Sequence, residues 1–230
     1  MEQSGSTRRG ATILGLFLAL VVPLLLGPGG FLKHFIGESG TEGVLMREGV
    51  FWGLAVLVLL VLVFGEGRKL SDIGFRRPRW STLIWGVAIV VLGFFVQPLD
   101  QWLLRAMHGS FPEQALDKFA GLPAWVLALI VVRAAVVEEI LYRGYAIERV
   151  AALTGSRILA VLIPSAAFVI AHMQTWGVAY AIAFVGPLAL IMSGMYLWRR
   201  DIGVNMIAHF LTDAMSVSAA YFATHGGAHG

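Results

Sequence analysis

Apolar stretches close to the length of a bilayer crossing recur along the whole chain, and no other property limits its fold as strongly. A spanning helix needs about 20 largely apolar residues. Seven runs approach or reach that length: residues 11–32, 50–64, 81–99, 124–142, 158–173, 178–198 and 202–222, the second and fifth being short. With 58% hydrophobic and only 13% charged residues, the chain holds more apolar surface than one water-soluble core of 230 residues can hide. Soluble domains carry about 25% charged residues. The pattern predicts an all-α fold, a polytopic membrane helix bundle of about seven transmembrane helices with a helical extension after the fourth. Membrane lipid is then an obligate partner.

The charged residues fit that picture. Arg8 and Arg9 precede the first run, Arg68, Lys69, Arg76, Arg77 and Arg79 follow the second, and Arg199 and Arg200 follow the sixth. The intervening loops carry Glu38, Glu42, Asp100, Glu113 and Asp117. Positive residues favour the cytoplasmic side, so the N-terminus is predicted in the cytoplasm and the C-terminus outside. A net charge of +3 spread over short loops argues against a nucleic-acid partner. Without cysteine there is no disulfide framework and no thiolate nucleophile. The first run lacks a small-x-small cleavage site and reads as a retained helix. The division expected is N-terminal helices and loops over residues 1–123, a core of four helices over 124–222, and a polar tail over 223–230. Residues 1–10 and the tail are expected to fray.

Ionisable residues inside spanning helices cost about 2.5–3.5 kcal/mol each at the helix centre, which makes them markers of function. Here they gather in the fourth, fifth and seventh runs: Arg133, Glu138, Glu139 and Arg143, then His172, then His209 and Asp213, with Asn205 one turn earlier. Glu139 and Arg143 are four apart, on one face of a helix, with Glu in the favourable N-terminal position. Glu138 points about 100° away. One carboxylate is therefore expected to pair with Arg143 and the other to stay free. Arg133 is expected to serve as a structural counter-charge to a carboxylate. Asn205, His209 and Asp213 form a ridge in which Asp213 is placed to orient the His209 ring. If the fourth helix continues through residues 143–153 and turns at Thr154–Gly155–Ser156, Glu139 and His172 come to about the same height on an antiparallel pair rising about 1.5 Å per residue. His172 would lie close to the end of the fifth helix.

These residues resemble the motifs of a known family. Glu138-Glu139-Ile140-Leu141-Tyr142-Arg143 resembles the Glu-Glu-x-x-x-Arg signature of the CAAX prenyl protease and bacteriocin-processing family, also called the Abi family. Phe168 to His172 resembles its Phe-x-x-x-His motif, and His209 to Asp213 its His-x-x-x-Asn/Asp motif. The resemblance runs from about Ala124 to Asp213; Leu70 to Arg76 is also similar to a stretch found before the third helix. Two departures stand out: Asp213 replaces the Asn of the eukaryotic prenyl-protein peptidases, and Tyr142 a more common Phe. The resemblance implies an intramembrane endopeptidase acting on a peptide or protein substrate reached from the membrane. It implies that Glu138 and His172 activate water. His209 and Asp213 would line the site for the oxyanion or leaving group, and Glu139 with Arg143 would support it. Non-catalytic roles on the same scaffold are the alternative: bacteriocin immunity, a regulatory partner or a transporter.

Two chemical routes are open. Glu138 acts directly on water as a base, with His side chains polarising the carbonyl. Or Glu138, His172 and His209 hold one divalent metal such as zinc, whose bound water is acidified. Neither a His-Glu-x-x-His nor a Gly-x-Ser-x-Gly motif occurs, which argues against zincins and serine hydrolases of the usual kind.

Overall fold

The computed structural model describes residues 2–27, 40–112 and 121–225. Residues 28–32 of the first apolar run, His34, Glu38, Glu113, Asp117 and His229 lie outside them. Among the described residues seven long helices form the molecule: α1 (residues 2–26), α2 (Thr41–Gly65), α3 (Trp80–Ala106), α4 (residues 124–154), α5 (Arg157–Trp176), α6 (Val178–Arg199) and α7 (Ile202–His225). Five are long and apolar enough to cross a membrane: α1 over Gly5–Leu26, α2, α3, α5 and α6. The remaining two, α4 and α7, carry the ionisable residues, which lower their apolar character. Large apolar side chains cover the outside, with Trp80, Phe64 and Phe95 each more than three-quarters exposed. Such a surface suits lipid rather than water.

Two helices begin earlier than their apolar runs. α1 is helical from residue 2, nine residues before the apolar run begins. α2 begins at Thr41, nine residues before the predicted start, and takes in Glu42, Arg47 and Glu48. Glu48 is buried by a partner on α4, so a tertiary ion pair sustains helix where hydropathy alone falls away. At the other end, α5 runs on to Trp176, which gives His172 a further turn of helix beyond it.

α4 occupies the centre and packs against α1, α2, α5 and α7. Its middle, Ala134–Ile147, is wound as π-helix, and every residue of it except Val136 and Glu138 is buried. π turns are rare and concentrate at functional sites. α4 ends where the sequence placed its turn: Gly155 takes φ +69°, the left-handed conformation a helix C-terminus favours. Ser156 then caps α5, its hydroxyl accepting the N–H of Leu159 at 3.2 Å.

Close contacts fix the height of α7. The N–H of Ile202 donates to the carbonyl of Gly74 at 2.9 Å, and the Thr82 hydroxyl donates to Asp201 at 2.8 Å. A side chain at Gly144 would meet the Ile73 carbonyl at 3.0 Å and Ile202 Cδ1 at 2.8 Å. One at Gly86 would meet Ile207 Cγ2 at 2.6 Å. Small residues let membrane helices approach closely. Here they clamp the start of α7 to α3 and α4, two turns below His209.

Candidate active site

The embedded charges form two groups that share neighbouring residues of α4. In the closed group, Glu139 is fully buried and its Oε1 accepts two hydrogen bonds at 2.8 Å, from Arg143 Nη1 and from His209 Nδ1. Arg143 is itself 1% exposed and lies 4.1 Å above the Phe168 ring, a cation–π contact. Phe168 stands edge-on to Tyr142 at 5.0 Å and to His209 at 6.1 Å. Buried charges survive only when paired and hydrogen-bonded; Glu139, Arg143 and His209 pair across α4 and α7 with Phe168 of α5 against the cation, while Glu139 Oε2 and Arg143 Nη2 have no partner among the described residues.

The second group is open. Glu138 Oε1 accepts from Arg133 Nη1 at 2.5 Å. Arg133 in turn donates to Glu48 on α2 through Nε at 2.7 Å and Nη2 at 3.3 Å. The Arg133–Glu138 contact spans five residues, which lie well apart on an α-helix but are brought round by the π turns of α4. Glu138 Oε2 has no hydrogen-bond partner among the described residues and lies 3.8 Å from His172 Nε2. The His172 ring is oriented by its other nitrogen, Nδ1, which donates to the Phe168 carbonyl at 2.8 Å. That bond fixes the tautomer and leaves the Nε2 lone pair facing Glu138. The 3.8 Å separation exceeds a direct hydrogen bond. It suits one water donating to both atoms.

The sequence-predicted residues therefore converge, with altered pairings. Glu139 pairs with Arg143 as expected, and the levels of α4, α5 and α7 agree. The expectation of an unpaired Glu138 is corrected: one oxygen is held by Arg133, because the π turns bring residue 133 over residue 138. The His209 ring is oriented chiefly by Glu139; Asp213 Oδ2 stands 3.5 Å from its Nε2, a longer approach. Asn205 leaves the ridge and donates to the Met192 carbonyl on α6 at 2.9 Å. Sequence reasoning missed Glu48. Its only signal was the need of Arg133 for a second carboxylate. Among the described residues no three His, Asp or Glu side chains are arranged to hold a metal ion, the set Glu138, His172 and His209 included. His209 directs Nδ1 to Glu139, whereas His172 directs Nε2 to Glu138, so the imidazoles serve different carboxylates.

Fold and site together define an integral membrane protein, a helical bundle with an embedded acid–histidine centre. A model of the family described as type II CAAX prenyl endopeptidase Rce1-like matches residues 120–215. That stretch contains all three motifs and is similar to this family of proteases. No curated protein and no solved structure gives a significant match.

Proposed function

We propose that this protein is an intramembrane endopeptidase that cleaves a membrane-associated peptide or protein with water activated by Glu138 and His172. One observation carries the reading: a carboxylate oxygen without a partner among the described residues and an imidazole lone pair face each other at 3.8 Å inside an apolar bundle. A water between them donates one hydrogen to each. Glu138 takes a proton as the water oxygen attacks the scissile carbonyl carbon. The same carboxyl then delivers that proton to the departing amine as the C–N bond breaks. His209 and Asp213 form the opposite wall, where the oxyanion or leaving group is held. The Asp213 side chain is 35% exposed, which supports entry of water at that wall. Glu139 and Arg143 hold the frame. The donor set does not fit a three-ligand metal centre, and no step is routed through one.

In this reading all seven helices cross the membrane, with the N-terminus in the cytoplasm, and the substrate enters from the bilayer. The test is cleavage of a peptide library by purified protein in detergent. Glu138→Ala or His172→Ala is expected to abolish cleavage while the protein stays folded, and full activity in either variant overturns the proposal. A cellular phenotype that survives loss of both Glu138 and His209 assigns a non-catalytic role on the same scaffold instead.

A further inference from the structure

We infer that Glu48 and Arg133 are positioning residues that keep Glu138 Oε2 available to water. The inference rests on the peptidase reading above. A guanidinium presents its N–H groups as a fork that matches both oxygens of a carboxylate, and two-point pairing is its preferred geometry. Left alone beside Glu138, Arg133 would pair with both carboxylate oxygens. Glu48 competes for the same fork. It comes from a different helix, α2, and takes up Nε and Nη2 of Arg133 at 2.7 and 3.3 Å. With the Nε edge of the fork taken, Arg133 reaches Glu138 through Nη1, which holds Oε1 alone. The Phe51 ring, 4.9 Å from the guanidinium carbon, covers one face of the same cation. The guanidinium is thus fixed on three sides and turned so that Oε2 stays towards His172, 3.8 Å away.

A buried cation between two carboxylates is also what a packing role would produce, so the test separates the roles. In Glu48→Gln the competing carboxylate is gone, Arg133 closes on both oxygens of Glu138, and Oε2 is lost to water. The expected result is a fall in kcat of about tenfold, part of the roughly 10²–10⁴ a positioned base supplies, with KM essentially unchanged. In Glu48→Gln/Arg133→Gln the closing cation is removed as well, and part of the lost kcat returns. A packing role predicts the reverse order, with the double variant less folded and no more active than the single. Each value is taken per folded molecule, counted by size-exclusion in detergent. Wild-type kcat in Glu48→Gln, or a double variant no better than the single, overturns the inference while the peptidase reading stands. Absence of cleavage by the wild type overturns the peptidase reading and this inference with it.

Discussion

Glu138 and Glu139 are adjacent in the chain and opposite in circumstance. Glu139 is sealed among Arg143, His209 and the Phe168 ring, with no exposed surface. Glu138 is held at one oxygen, keeps the other without a partner among the described residues, and faces His172, whose side chain is 22% exposed. Successive helical residues point in different directions, so one helix serves two environments. The lesson is a division of labour: the fully buried group sets where three helices sit, and the partly exposed group beside His172 is left something to do.

Substitutions on the two sides should therefore fail differently. Arg143→Met strikes the closed group and leaves Glu139 buried beside His209 alone; the expected loss is about 3–5 kcal/mol of stability, read as collapse of the folded fraction on thermal challenge in detergent. His172→Ala strikes the open group. A loss of cleavage of about 10²–10⁴ is expected, with a melting temperature near that of the wild type. Should His172→Ala unfold the protein as readily as Arg143→Met, the division is wrong. Gly144→Ala adds a methyl group against the Ile73 carbonyl and Ile202, outside both groups. Overpacking of this kind costs about 1–3 kcal/mol and should lower the melting temperature in proportion. The smallest effect belongs to Tyr142→Phe. The Tyr142 hydroxyl is buried without a partner among the described residues, so its removal is expected to leave stability within about 1 kcal/mol or to raise it. A marked loss of stability would place Tyr142 in the closed group.

Much of this arrangement was legible in the chain. The turn at Gly155, the gathering of charges in α4, α5 and α7 and the Glu139–Arg143 pair all follow from local spacing, which acts within a turn or two of helix. Two features were not legible. Glu48 stands in a stretch with Glu42 and Arg47 that reads as loop, and only its partner across the bundle makes it helical and buried. The Arg133–Glu138 pair has a spacing of five, which counts for nothing on the α-helix that hydrophobic periodicity assumes. Both depend on contacts or winding that a run of residue types does not record.

The π turns of α4 carry a consequence for how this segment tolerates insertions and deletions. A π turn takes about one residue more than an α turn, so the helix on either side of Ala134–Ile147 is offset in phase. Deleting one residue between Arg133 and Glu138 is absorbed where a π turn tightens to an α turn; where the winding persists, it rotates everything beyond it by roughly 100° about the axis. Arg143, Tyr145 and Arg149 would then face the wrong neighbours, although every side chain named here survived. Winding and length between positions 133 and 138 thus act together, and sequences aligned to this one through that interval should be matched on its count of residues before their chemistry is compared.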